Sequence, residues 1–297
     1  MKLVMKRFGR GTGMTAPASL HWPESTYSHQ SWERARAASM RWAVAGAVLG
    51  ALIGLIAFAP ASWLARAVSS ASGERLLLTD ARGTIWSGNA VPVLTGGPGS
   101  RDAASLPGRL AWTLAWRGSA LEVRATQACC LNGVVTLRVV PGLSRWTITL
   151  VPPPGWIGQW PSAWLGGLGT PWNTLQLGGS LRLLSPGFSL EWIAGRWRAD
   201  GTLDIELTNA SSRLSTLETL GSYRLRLVGD AANAGQPTLS LITLDGALKL
   251  SGDGNWGPGG VRFRGEARAA PNDEAALANL LNIIGRRDGA RSVISIG

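Results

Sequence analysis

The chain has little of what most catalytic sites need. Of its 297 residues, two are histidine and two are cysteine. His21 and His29 both precede the main body. No histidine after residue 29 is left for a Ser-His-Asp triad, a zinc-binding pair or a general base. Cys129 and Cys130 are adjacent, which excludes a four-cysteine zinc site. Lys-based or paired-carboxylate chemistry stays formally open. Charge is also sparse: 16% of residues are charged, with 18 acidic against 29 basic. The net charge of +11 raises nucleic acid as a partner. The arginines are scattered singly, however, and much of the excess sits at the N-terminus, so no nucleic acid is expected. These absences weigh against an envelope hydrolase; no cofactor and no metal site are expected.

What is present describes a folded chain. Apolar residues make up 45%, against 39 Gly and 16 Pro, which is not a disordered composition. The length suits one large all-β unit or two small domains, with a core that needs no disulfide staples. Tryptophan is abundant, 15 against 2 Tyr and 4 Phe. Core filling is the plain reading of these rings, and an apolar groove for lipid or extended polypeptide is the sharper one.

Residues 1–41 form a basic tail, with Lys2, Lys6, Arg7, Arg10, Arg34, Arg36 and Arg41 against Glu24 and Glu33. From Trp42 to Ala65 no residue is charged. As one helix this segment spans about 36 Å, enough for a hydrocarbon layer. Trp42 and Trp63 suit the two interfaces. Only Arg66, Arg75 and Arg82 follow closely, so the positive bias predicts a cytoplasmic N-terminus and an exported body over 66–297. A cleaved signal peptide competes with this reading. Its apolar region is shorter, and Pro60 directly after Ala57-Phe58-Ala59 disfavours cleavage there. An uncleaved anchor is expected. Gly46, Gly50 and Gly54 lie four apart, a small-residue stripe that lets another helix approach closely.

After residue 70 the period changes to two. Arg145–Leu150, Ser222–Leu227 and Val261–Arg268 alternate polar and apolar side chains, as half-buried strands do. Further strands are expected near 74–79, 83–94, 109–117, 119–126, 133–140, 175–184, 188–193, 197–208, 238–243 and 246–251. This predicts an antiparallel sheet, sandwich or open barrel. The stretches 175–192 and 241–256 echo each other and read as two similar hairpins. Trp156, Trp160 and Trp164, four apart, suggest a short helix. Asn272 can cap a helix whose apolar stripe is Ala276, Leu277, Leu280, Leu281 and Ile284, ending at Gly285. Cys129 and Cys130 form a vicinal disulfide or two thiols; in a strand they would point to opposite faces, which argues against bonding.

Gly83-Thr84-Ile85-Trp86-Ser87-Gly88 follows the anchor, then Leu106-Pro107-Gly108-Arg109-Leu110-Ala111-Trp112. Later come a glycine-rich hairpin, Leu244 to Gly254, and a closing segment from Trp256 through Phe263-Arg264-Gly265-Glu266-Ala267 to Leu280-Leu281 and Gly285. The order of these motifs over about 40–295 resembles the type II secretion system protein N (GspN) family. The resemblance implies a mainly β fold: a single transmembrane helix, then a twisted, antiparallel, AsmA-like periplasmic sheet or open barrel, with a C-terminal helix. It implies a non-enzymatic part of the secretion machine in the bacterial inner membrane, with other secretion components as partners. The AsmA-like kinship implies the alternative, a groove that holds lipid or another hydrophobe. Gly83, Thr84, Trp86 and Gly88 are then motif residues of a packed first strand, with glycine permitting a bulge or close backbone approach. The tail before the anchor is longer than the resemblance leads one to expect, and Met40 offers a later start.

Overall fold

A computed structural model describes residues 26–297, apart from 194, 231–235 and 258–259. The expected basic tail over 1–41 lies mostly outside the described residues. Two compact units are distinguished, 1–54 and 55–297. The described part of the first lies within helix α1, Thr26–Ala57, whose last three residues belong to the second. Among the described residues it is the one helix long and apolar enough to cross a membrane, over Met40–Ala57.

The uncharged segment 42–65 was expected as one helix and is two. Proline's ring keeps the residue before it out of helical backbone, so Pro60 breaks the run. Pro60 itself is extended, at φ −68° and ψ 147°, and α2 (Ala61–Ala71) starts directly after it. Ala59 and Ala61, on either side of the proline, are both 1% exposed. Ala61 packs with Ala90 and Trp112, so the second part of the expected span lies on the body.

The second unit is built on one open sheet of sixteen strands, with every paired neighbour antiparallel. Its first strands are β1 (Leu76–Gly83), β2 (Ser87–Thr95), β3 (Ala103–Ser105), β4 (Leu110–Arg117) and β5 (Ala120–Thr126). Next come β6 (Val135–Pro141), β7 (Arg145–Val151), β8 (Trp156–Pro161), β9 (Leu177–Ile193) and β10 (Arg196–Ser212). The last are β11 (Gly221–Gly229), β12 (Thr238–Asp245), β13 (Leu248–Gly257), β14 (Gly260–Ala269), β15 (Arg286–Asp288) and β16 (Arg291–Ile296). A short 3-10 helix, Ser162–Leu168, and α3 (Trp172–Leu175) join β8 to β9. Helix α4 (Glu274–Ile284) precedes β15. The main path runs from β1 to β15 in near-sequential order, with β3 added to β2 and β8 added to β9.

Sequence pattern and structure differ at four places. The stretch 175–192 is not a hairpin: β9 runs through Ser185-Pro186-Gly187 as one strand. Proline has no N–H for a ladder, so it needs a bulge. The register slips there, between Leu184 and Gly187. Ser185 fills the gap by donating to Thr202 O at 2.6 Å and accepting from Gly187 N at 3.1 Å. On its other side β9 pairs with β8 before the bulge and with β7 after it. Trp156 and Trp160 lie in strand β8, not a helix. Trp160 stacks on Trp164 with ring centroids 6.4 Å apart. Asn272 does not cap α4. The residue before the helix is Asp273, with no side-chain cap bond, and Asn272 sits at φ 78°. Cys129 and Cys130 are joined by a disulfide. They lie in the turn between β5 and β6, where strand alternation does not apply.

Directly opposed residues in a ladder share a face. Following the pairs from β4 to β14 puts Leu114, Val123, Leu137, Leu150 and Phe188 on one face. Beyond β9 the same face carries Leu203, Leu227, Leu239 and Phe263. No charged side chain falls on it between β4 and β14. The other face carries ion pairs such as Arg226 with Asp204 and Arg224 with Glu206. Two helices cover parts of the apolar face. Near β2 and β4, α2 places Ala61 and Leu64 on Ala90 and Trp112. Helix α4 sets Leu277, Leu280 and Leu281 against Tyr223, Leu248 and Ala267. Burial pushes the Tyr223 phenol above its ordinary range, and its hydroxyl donates to Leu248 O at 3.0 Å.

Leu280 is 1% exposed at the centre of the larger core. Leu280→Ala is expected to destabilise the body by about 2–5 kcal/mol. Exposed Ala275→Ser on the same helix is expected to cost less than about 0.5 kcal/mol. Denaturant unfolding of the two variants checks this; equal midpoints would contradict the assigned core.

Candidate functional site

The motif Gly83–Gly88 is the joint between the helix break and the sheet. Strand β1 ends at Gly83 and β2 begins at Ser87, so Thr84, Ile85 and Trp86 form the connecting turn rather than a strand. Thr84 N donates to Ser87 O at 2.9 Å, and Ser87 N donates to Thr84 Oγ1 at 3.1 Å. The turn thereby satisfies its own backbone and leaves its outer groups for the helix end. Ile85 N donates to Ala59 O at 2.9 Å. Trp86 Nε1 donates to Ile56 O at 2.8 Å. A carbonyl at a helix C-terminus has no partner in its own helix, and the indole supplies one. On the sheet side, Trp112 Nε1 donates to Ile85 O at 3.2 Å and Leu114 N to Trp86 O at 2.7 Å.

Both glycines are there for space. A Cβ at Gly88 would sit 2.7 Å from Arg82 O and 2.7 Å from the Trp112 ring. Gly83 has φ +88°, and a Cβ on it would lie 2.5 Å from Ser87 O. The Trp112 ring, 5% exposed, fills the room that Gly88 leaves. Trp86 itself is half-buried.

Beside the turn lies a charged knot that the sequence pattern did not reveal. Asp80 occupies a bulge of β1 at φ 49°. Its carboxylate accepts from Arg109 Nη1 at 2.7 Å and pairs with Arg82 at 2.8 Å. Arg109 Nε also donates to Asn89 Oδ1. The Arg109 hydrogen bond, then that of Arg82, holds the Asp80 carboxyl below its ordinary value of 3.8. Asp80 and Arg109 are far apart in sequence, and no local period links them.

Gly46, Gly50 and Gly54 all lie in α1, on one face by their four-residue spacing. A Cβ at any of them would meet nothing within 4 Å. The stripe and the turn lie in different units and are separate features. Among the described residues no group of three or more His, Cys, Asp or Glu is placed to hold a metal. A cleft of about 710 Å³ opens between β3, α3 and the β10–β11 connection, lined by Asp102, Trp172, Asn173, Arg213 and Glu218 among others. Two of its polar side chains are engaged structurally: Asp102 accepts from Asn173 Nδ2 at 3.1 Å, and Ser212 donates to Leu175 O at 2.5 Å.

An apolar N-terminal helix followed by an open, all-antiparallel sheet defines the class. The model of the family described as type II secretion system (T2SS), protein N, matches residues 74–294. The chain belongs to that family and is a type II secretion component. The match takes in the Gly83–Gly88 turn and the sheet up to residue 294 in β16, and it begins after α1 and α2. No curated protein and no solved structure matches the chain.

The joint makes three expectations testable by unfolding of the full chain in detergent. Gly88→Ala forces a Cβ onto backbone and ring and is expected to cost about 1–3 kcal/mol. Gly46→Ala, which meets nothing, is expected to cost no stability. Trp86→Phe keeps most of the ring and loses the bond to Ile56 O, for about 1 kcal/mol. Indistinguishable stabilities of Gly88→Ala and Gly46→Ala would contradict the close packing. The sign for Asp80 follows from its lowered value. The folded form binds its proton less readily than the unfolded form, so its contacts stabilise above pH 3.8 and are lost as pH falls below it. Asp80→Asn is expected to flatten the acid limb of the stability profile, and an unchanged limb would contradict the pairing.

Proposed function

We propose that the chain is a single-pass, non-enzymatic inner-membrane component that assists the type II system in moving folded periplasmic proteins across the outer membrane. The observation that carries this reading is the family match over 74–294, with the apolar helix Met40–Ala57 before it in sequence and α2 between them. The seven positive residues of the tail favour a cytoplasmic N-terminus, which puts the sheet in the periplasm. The other type II components are its partners. Its turn Gly83, Thr84, Trp86 and Gly88 serves to hold the Pro60 break against the sheet. The stripe Gly46, Gly50 and Gly54 serves as the surface for a partner helix.

The lack of a histidine after residue 29 supports a role without general acid–base catalysis. Binding and positioning are what the body offers: a long ladder, an apolar face and a charged face.

A second reading has a specific observation in its favour. Between α2 and α4, much of the apolar face is only half-buried, and Leu137 and Ile205 are 36% and 37% exposed. A face of this kind suits lipid chains or another hydrophobe, the AsmA-like alternative.

Deletion of the gene is expected to leave type II substrates in the periplasm instead of the medium. Normal secretion together with altered outer-membrane lipid would favour the second reading. Alkaline phosphatase fused after Gly297 is expected to be active, and an inactive fusion at normal expression would overturn the orientation. Replacing Gly46, Gly50 and Gly54 with Leu is expected to reduce crosslinking to partners while insertion survives. Undiminished crosslinking would show that the stripe is compositional.

A further inference from the structure

The cleft between β3, α3 and the β10–β11 connection lies wholly within the second unit. Its volume of about 710 Å³ falls in the range of small-molecule sites, roughly 300–1,000 Å³. One wall sets an aromatic ring beside a fixed polar pair. Trp172 and Asn173 open α3, and Trp172 is 36% exposed. Asn173 Nδ2 donates to Asp102 Oδ2 at 3.1 Å, and its Oδ1 accepts from Thr174 Oγ1 at 3.2 Å. The amide and the half-buried carboxylate are thereby held in place, and Asp102 Oδ1 is an acceptor that this pair does not use.

Another wall is the β10–β11 connection. Leu214 and Leu217 tie it to the larger core, so it is a built surface. Arg213 and Glu218 on it line the cleft and are exposed. Neither side chain has a hydrogen bond or ion pair among the described residues. The same holds for Gln176, directly after α3.

These groups narrow the ligand. Two carboxylates against one guanidinium do not suit a polyanion. Apart from Leu177 and Leu217, the remaining lining is alanine, glycine and serine, which offers little surface to an acyl chain. The walls offer instead a partly exposed indole, two carboxylates, two amides and a guanidinium. A sugar ring matches that set. Its C–H face suits an indole, and its hydroxyls both donate and accept, so they can satisfy carboxylate, amide and guanidinium together.

We propose that this cleft binds a neutral oligosaccharide. Trp172 stacks on one sugar ring, and Asp102, Asn173, Gln176, Arg213 and Glu218 bond the hydroxyls. The site is independent of where the apolar helix sits. Gly166 gives a way to block it while sparing the fold: it lines the cleft, and a Cβ on it would meet nothing within 4 Å.

The test uses the full chain in a polyoxyethylene detergent, which has no sugar headgroup to compete. Cellotetraose and tetra-N-acetylchitotetraose are added separately. Saturation-transfer NMR reads contact with their ring protons, and calorimetry reads affinity. Transfer to at least one sugar is expected, and transfer to the acetylated one alone would assign the acetamido group to recognition. Trp172→Ala is expected to weaken binding about tenfold and Trp172→Phe by less. Arg213→Ala is expected to weaken it several-fold, and Gly166→Leu to abolish it. Arg213→Ala and Gly166→Leu are expected to unfold at the same temperature as the unaltered chain, which separates lost binding from lost fold. No transfer to either sugar overturns the proposal. Equal affinity in the unaltered chain, Trp172→Ala and Gly166→Leu also overturns it, because the sugar would then sit elsewhere. A tetra-alanine peptide that binds where both sugars fail would give the cleft to polypeptide.

Discussion

The structure depends on the pairing register staying in step across the sheet. Side chains alternate with a period of two, so a slip of one residue anywhere would throw leucines and arginines onto the wrong faces. Bulges absorb the irregular residues without ending the sheet: they take in Asp80 in β1, Ile157 in β8, Pro186 in β9, Asn209 in β10 and Leu244 in β12. The result is a charged face and an uncharged face that persist from β4 to β14. In the ion pairs on the charged face the carboxylates are mostly buried but the arginines are partly exposed to solvent, which screens each pair. Most of the stabilisation therefore comes from the ladder and the apolar face, and α2 and α4 cover that face where it is tightest.

The second constraint is the proline in the apolar run. It ends one helix and starts another, and it leaves carbonyls at the break without partners inside a helix. The Gly83–Gly88 turn supplies the partners for Ile56 and Ala59. Its glycines let Trp112 come close enough to carry the turn. Sequence, local geometry and packing thus converge on one small joint, which holds the Pro60 break against the sheet.

Much of this was legible in the sequence because the signals were periodic or compositional. The alternation at Arg145–Leu150, Ser222–Leu227 and Val261–Arg268 marks strands that the structure contains. The stripe Leu277, Leu280, Leu281 marks α4, and the family motifs fall within the matched residues. What was not legible depended on distant contacts. Pro186 looks like a hairpin turn until β7 and β8 are seen sharing β9. Trp156, Trp160 and Trp164 have helical spacing, but ladder bonds to β9 draw the first two into a strand. The cysteines bond because they sit in a turn, which alternation could not foresee. Asp80 and Arg109 meet only because β1, β2 and β4 lie side by side.

Membership of the type II secretion protein N family places the chain in a machine and turns attention to what it holds. The central claim is that the anchored sheet works in contact with the other type II components. Crosslinking in native membranes, followed by mass spectrometry of the joined peptides, tests it most directly. The account predicts links from the sheet and from the glycine face of α1 to other type II components. Membranes that contain the assembled system but yield no such links above background would contradict it.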